Sequence, residues 1–311
     1  MGPVTGWRSL IESLDTSRGS LASSAASPMM DVFTIDVEDW FHILEATGTP
    51  GFSTWDSLET RLERNFRALL DLLAEHKVQA TCFTLGWVAS RFPSLLRAAA
   101  ESGHDIASHG YAHQIVGGLS RSQFREDIRR AKQAIEDATG CPALGYRAPG
   151  FSITRTTPWA FDEIAEAGHI FDSSVFPASH GHGGIPGAPR KTYLLHTSTG
   201  PLVEFPISVV ETPLGPKCCF GGGYLRLYPL WLIQAMADRV RVDGRGVVWY
   251  IHPREIDPDH PRLRMPLKRR FKSYVNLGGT LGKLKAILGN GRFATLSQLA
   301  EQMLQAQPIS R

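Results

Sequence analysis

From Asp31 onward, short runs of β-branched and aromatic residues alternate with longer stretches in which apolar residues recur every three or four positions. That rhythm predicts successive βα units around a parallel sheet. Strands are expected at Val32 to Val37, Ala80 to Leu85, Asp105 to Ser108, Leu144 to Arg147, Ile170 to Ser173, Val203 to Ile207 and Val247 to Ile251. Helices are expected at Ser57 to His76, Phe92 to Ser102, Ser120 to Thr139 and Pro158 to Gly168, and again at Tyr228 to Val240 and Leu296 to Gln305. No internal repeat of fixed period is present, which argues against a solenoid. Seven such units in an α/β chain point to a barrel related to the (β/α)8 type, in which chemistry gathers at the C-terminal ends of the strands.

Composition changes this picture little. The 311 residues are 42% hydrophobic and 20% charged, as in an ordinary globular protein. A net charge of +3 does not suggest a nucleic-acid partner, because such proteins carry a clustered basic face. The four cysteines form no CxxC pair, and the adjacent Cys218 and Cys219 would bond only with strain, so all are expected reduced. No stretch reaches the roughly 18 apolar residues that span a bilayer, and no signal peptide is evident, so a cytoplasmic location is expected. Residues 1–30, rich in Ser, Ala and Gly, read as a loose tail or a mis-set start. The folded domain is expected over 31–311.

Candidate chemistry lies where the expected strands end. Asp36, Glu38 and Asp39 follow Val32 to Ile35, and three acids at the end of a buried strand are costly unless a cation sits there. They can equally cap a turn. Ser108-His109-Gly110-Tyr111-Ala112-His113 places two imidazoles four residues apart, on one face if the segment turns helically. Two histidines with a carboxylate make a facial set that leaves positions open for water and substrate. Arg147, held between Gly145 and the Ala148-Pro149-Gly150 turn, can grip a carboxylate bidentately. Asp172 ends the next strand, and His252 closes the last one. Taken singly, each has an ordinary structural reading: surface histidines, a turn arginine, a capping acid, a satisfied core imidazole.

Together and in this order, the segments resemble the polysaccharide deacetylase family, the NodB-homology group also called carbohydrate esterase family 4. The matching motifs are Thr34-Ile35-Asp36-Val37-Glu38-Asp39, Ser108-His109-Gly110-Tyr111-Ala112-His113, Arg147-Ala148-Pro149, Asp172-Ser173-Ser174 and His252. A closer resemblance, to the branch associated with exopolysaccharide and exosortase gene clusters, rests on Gly221-Gly222-Gly223-Tyr224, on Tyr250 to Pro258 and on Phe271 to Leu277. The resemblance implies a distorted barrel of about seven parallel strands, with a family-specific C-terminal extension from about residue 255.

It also implies hydrolytic removal of N-acetyl groups from an amino-sugar polysaccharide or its precursor, with a divalent metal, zinc first and cobalt or nickel next. His109, His113 and Glu38 or Asp39 would hold the ion. Many relatives have adjacent aspartates in the first motif, and the alternation of an extended chain favours Glu38 over Asp39 here. Asp36 is the implied base, oriented by Arg147, and His252 the implied acid, supported by Asp172. An oxyanion donor is expected among the backbone amides beside Tyr146 or Arg147.

Trp40, Tyr111, Phe151 and Tyr146 are candidates for substrate contact, with core packing the alternative. Arg262 to Lys272, with six basic residues, reads as a solvated, mobile loop. The other reading of that segment is a site for an anionic or lipid-linked saccharide, with peripheral membrane contact. Competing functional classes are a metal-dependent amidase for a small non-sugar C–N bond, a non-catalytic carbohydrate-binding scaffold and a glycosidase.

Overall fold

The computed structural model describes residues 30–306 except Glu45 and Leu214, so the expected N-terminal tail lies outside the described residues apart from Met30. In chain order the elements begin β1 (Val32–Val37), α1 (Leu62–Glu75), β2 (Thr81–Thr84), α2 (Gly86–Arg91), α3 (Pro93–Glu101), β3 (Asp105–Ser108) and α4 (Arg121–Thr139). Next come β4 (Gly145–Tyr146), α5 (Trp159–Glu166), β5 (Phe171–Asp172), β6 (Tyr193–Thr197) and β7 (Gly200–Glu204). The chain ends with α6 (Gly222–Leu227), α7 (Leu230–Val242), β8 (Val248–Ile251), α8 (Leu267–Tyr274), α9 (Thr280–Asn290) and α10 (Leu296–Gln305).

The strands form one sheet in the order β6-β7-β5-β4-β3-β2-β1-β8. Seven strands run parallel, as the periodicity predicts, and β6 alone pairs antiparallel, forming a hairpin with β7. The barrel is distorted because β6 and β8 are left as edges. The extended segment after β7 crosses this gap: Phe205 N donates to Asp172 O, and the Ser208 hydroxyl accepts from Val248 N. Open polar edges are thereby covered.

Local signals explain the best-formed elements. Helix α4 starts at a reciprocal capping box between Ser120 and Gln123, and buries Phe124, Ile128, Ala131, Ile135 and Ala138, spaced four and three apart. In β1 every residue is buried. Phe33, Ile35 and Val37 join the main apolar cluster with Leu62, Phe66 and Leu69 of α1, each such side chain contributing about 1.5–3 kcal/mol. The alternation of a strand then turns Thr34 and Asp36 the other way, where one guanidinium nitrogen of Arg147 meets both.

Four helices, α2, α6, α8 and α9, and the edge strand β6 were not legible in the pattern. Strand β6 belongs to no βα unit, so a search for that rhythm passes over it. The solvated-loop reading of Arg262 to Lys272 is corrected, since the segment runs into α8. That helix docks on α6 because Gly223 has no side chain: a Cβ there would stand 2.5 Å from Lys272 O and 2.8 Å from Lys272 Cγ.

The sheet register also sets two buried acids side by side, since Asp172 of β5 is the partner of Glu204 of β7. Asp172 accepts from Ser174 N at 3.0 Å and from the Ser174 hydroxyl at 2.7 Å, and Glu204 accepts from Val175 N at 3.0 Å. Burial and then the Asp172 charge push the Glu204 carboxyl well above its ordinary range.

Two outcomes are expected. Gly223→Ala forces α6 and α8 apart and costs about 1–3 kcal/mol, read as a lower Tm and as faster tryptic cleavage within α8. Because the folded-state pKa of Glu204 is raised, its contribution to stability is full below the unfolded value of about 4.3 and declines as pH rises through the folded value. Glu204→Gln mimics the protonated acid, so thermal melts from pH 4 to 9 should show a flatter pH dependence than wild type.

Candidate active site

The loop after β3 converges two imidazoles without forming a helix. His109 N donates to Thr84 O, continuing the ladder, and the chain then turns at Gly110, whose φ of 75° suits a residue without a side chain. The Asp127 carboxylate of α4 clamps the turn by accepting from Tyr111 N at 2.9 Å and Ala112 N at 3.3 Å. His113 adopts φ 53°, which swings its ring to 5.3 Å from that of His109. Helical spacing is thus the wrong reason for a correct pairing.

Glu38 comes to this pair from the end of β1. Its Oε1 lies 3.2 Å from His109 Nε2 and 2.9 Å from His113 Nε2, and all three side chains are buried. His109 Nδ1 lies 2.7 Å from Arg147 O, and a carbonyl can only accept, so Nδ1 carries the hydrogen and Nε2 is left to bind. His113 Nε2 makes no hydrogen bond despite its nearness to Glu38, so the two atoms face a common point more than each other.

The donor atoms of Glu38, His109 and His113 all lie within 4.8 Å of one another, and Asp36, Glu38 and His252 form a second such group. Burial alone would raise Glu38 and lower His109. The opposite charges win in both cases, pulling the Glu38 carboxyl well down and lifting His109. An ionised acid at a buried point, beside two imidazoles whose ring nitrogens can give up their protons to an ion, fits a divalent cation.

Asp39 is a correction. Its Oδ1 accepts from Trp40 N, and its Oδ2 from the Thr60 hydroxyl, Arg61 N and Leu62 N, so it ties the loop after β1 to the start of α1. No lone pair is directed at the histidines. Arg147 is fully buried and meets Asp36 Oδ1 at 2.7 Å through Nη1, while Nε and Nη2 bond Ser173 O and the Ser173 hydroxyl. The grip on Asp36 is therefore single, where a bidentate one was expected, with Phe83 under the guanidinium at 3.9 Å. The expected oxyanion donors are occupied as well: Arg147 N donates to Ser108 O and Ala148 N to the Ser174 hydroxyl.

His252 closes β8 with Nε2 at 3.8 Å from both Asp36 Oδ2 and Glu38 Oε1. Its expected partner, Asp172, is engaged with Ser174 and Glu204 instead. Glu255 takes the place: its Oε1 is 2.6 Å from His252 Nδ1, and its Oε2 is 2.8 Å from Arg226 Nε. Burial would raise Glu255, but the Arg226 charge and the His252 contact bring it down to about 2. Sequence reasoning missed Glu255, Arg226 and Asp127. The His-Pro-x-Glu spacing at 252 to 255, with an acid on the third position of a turn, was the available signal for the first.

The aromatic candidates divide. Phe151 lines the cleft together with Asp36, Glu38, His113 and His252. Trp40 is core, its indole N–H bonded to Glu59 O. Tyr146 packs against Phe124 and His169 in a second buried cluster. Tyr111 lies beneath Arg130, at 3.6 Å, away from the cleft. Residue type alone does not separate a ring that fills the core from one that faces a ligand.

Residues 49–169 match the family model described as polysaccharide deacetylase, and residues 173–301 match a domain of unknown function, DUF3473. His109, His113 and Arg147 fall in the first match, His252 and Glu255 in the second. A peptidoglycan-N-acetylglucosamine deacetylase of Bacillus cereus is 29% identical over 96 residues, 30% of this chain and 35% of that protein. A chitooligosaccharide deacetylase of Sinorhizobium fredii is 35% identical over 79 residues, 25% of this chain and 36% of that protein. The alignment thus spans only about a third of either relative.

Among solved structures, a protein of Mycobacterium smegmatis assigned as a polysaccharide deacetylase superposes with a TM-score of 0.64 at 22% identity, covering 94% of this chain and 96% of that one. The allantoinase Puue superposes at 0.58 with 15% identity, covering 93% and 96%. At these identities what is shared is the fold. The match to the polysaccharide deacetylase model is thus carried by residues 49–169, on a fold that the chain shares with these solved structures.

Proposed function

We propose that the protein is a metal-dependent N-deacetylase of an amino-sugar saccharide, acting in bacterial exopolysaccharide or cell-envelope synthesis. The observation that carries this reading is the meeting, in one cleft, of a Glu38-His109-His113 ligand set with Asp36 and His252. Two imidazoles and one carboxylate suit zinc first and cobalt or nickel next. When bound, such an ion polarises the acetyl carbonyl and brings the pKa of a water toward about 7.

The remaining work falls to this chain's own side chains. Asp36 accepts the proton of the attacking water, and Arg147 aims that carboxylate through the 2.7 Å contact. The amine leaves only once protonated, and His252, whose Nε2 is 3.8 Å from both Asp36 Oδ2 and Glu38 Oε1, is the donor in this reading. Glu255 fixes the ring by holding Nδ1–H, and Arg226 keeps Glu255 charged. Phe151 supplies an apolar wall for the sugar ring or the acetyl methyl.

Amino-sugar substrates are supported by the names of the aligned relatives, which are deacetylases of peptidoglycan N-acetylglucosamine and of chitooligosaccharides. The exopolysaccharide role rests on the resemblance carried by Gly221 to Tyr224, Tyr250 to Pro258 and Phe271 to Leu277. Because an allantoinase shares the fold, hydrolysis of a small cyclic amide is the reading to be tested beside it.

The test is acetate release from N-acetylglucosamine oligomers and from bacterial exopolysaccharide, with allantoin as the competing substrate. It is run before and after chelation and refilling with zinc, cobalt or nickel. Chelation is expected to abolish release and zinc to restore it, whereas activity that survives full metal removal defeats the reading. Asp36→Asn is expected to lower kcat by at least about 10²–10⁴-fold with zinc content unchanged. Glu255→Gln is expected to lower kcat by about 10–100-fold with little change in zinc affinity, and an unchanged kcat would remove Glu255 from any role at His252.

A further inference from the structure

We propose that α8 and its neighbours form a docking surface for an anionic phospholipid membrane, beside the mouth of the cleft. From Pro261 to Ala300 the sequence contains nine Lys or Arg residues and no Asp or Glu, in a chain whose net charge is only +3. At the start of this stretch α8 presents two different faces. Arg269, Lys272 and Ser273 line the catalytic cleft. Leu267 and Phe271, one turn apart, point outward and are 82% and 59% exposed.

Lys268 and Arg270 stand exposed beside these two apolar side chains. Helix α6, whose Arg226 holds the Ser273 and Lys272 carbonyls, ends in Leu227, 45% exposed. Scattered exposed apolar residues are normal, but large ones gathered on adjoining elements and set among basic residues mark an interaction surface. An apolar pair flanked by lysine and arginine is complementary to a bilayer interface bearing negative headgroups.

No described helix is long and apolar enough to cross a membrane, so the contact would be peripheral. One side of α8 would rest on the lipid while the other walls the cleft, which places a saccharide anchored at that surface within reach of the site.

The experiment is co-sedimentation of the full chain with vesicles of equal parts phosphatidylglycerol and phosphatidylcholine, against phosphatidylcholine alone, at two salt concentrations. It needs no catalytic turnover, so its result stands apart from the fate of the deacetylase reading. Wild-type protein is expected to bind the anionic vesicles and to be released as salt rises. The double variant Leu267→Glu with Phe271→Glu is expected to bind at least tenfold less. Both side chains are exposed, and an unchanged circular dichroism melt confirms the variant's fold. Lys268→Gln with Arg270→Gln is expected to weaken binding several-fold and to blunt the salt dependence.

The proposal is overturned if wild type does not bind anionic vesicles, or if the Leu267/Phe271 double variant binds as wild type does. It is overturned equally if sedimentation velocity without lipid shows a dimer that the same variant dissociates and that vesicles do not displace, because the face then belongs to a second copy.

Discussion

The arrangement depends on the burial of two carboxylates, Asp36 and Glu38, where β1 meets the mouth of the barrel. Removing such groups from water is expensive, and the surrounding structure answers each with a different kind of cation. Asp36 has a permanent one in Arg147, which is itself buried and saturated by Thr34 and Ser173. Glu38 has imidazoles, whose charge is conditional and which a metal ion can replace. Two chemically similar acids thus meet different partners, a fixed guanidinium for Asp36 and a pair of imidazoles for Glu38. His109 Nδ1 on Arg147 O then ties the imidazole group to the residue that holds Asp36.

The parallel architecture was legible because a buried strand and an amphipathic helix leave different periodicities, and because the functional acids, imidazoles and guanidinium interrupt apolar strands at their ends. All seven parallel strands lie where that rhythm puts them. Alternation along an extended chain favours Glu38 over Asp39 as the acid that faces the imidazoles, and Asp39 is engaged as a cap for the loop before α1. What escaped notice shares a cause, which is that no single residue type announces it. Asp127 acts through backbone amides, and Arg226 through the Glu255 carboxylate and two backbone carbonyls, all distant in sequence. Asp172 illustrates the converse, an acid at the right place in the motif order whose sheet register gives it a carboxyl neighbour in Glu204 in place of an imidazole.

Helix α8 was hidden for another reason. Its Leu267 and Phe271 carry a helical spacing, but the basic residues around them dominate any reading by composition, and its docking depends on the bare backbone of Gly223 in a different element. Dense charge describes a solvated segment well when nothing apolar lies beneath it. Here the glycine-rich turn before α6 supplies a surface that the helix can approach closely.

Arg226 has a consequence for the order in which the molecule becomes competent. Its guanidinium holds Glu255 on one side and the Lys272 and Ser273 carbonyls on the other, so the ring of His252 is braced by chain made some twenty residues later. A nascent polypeptide that has emerged only as far as Arg262 already owns every side chain able to capture a cation. It still lacks the two carbonyls that hold Arg226 in place, so the Glu255 that steadies His252 is not yet braced from behind.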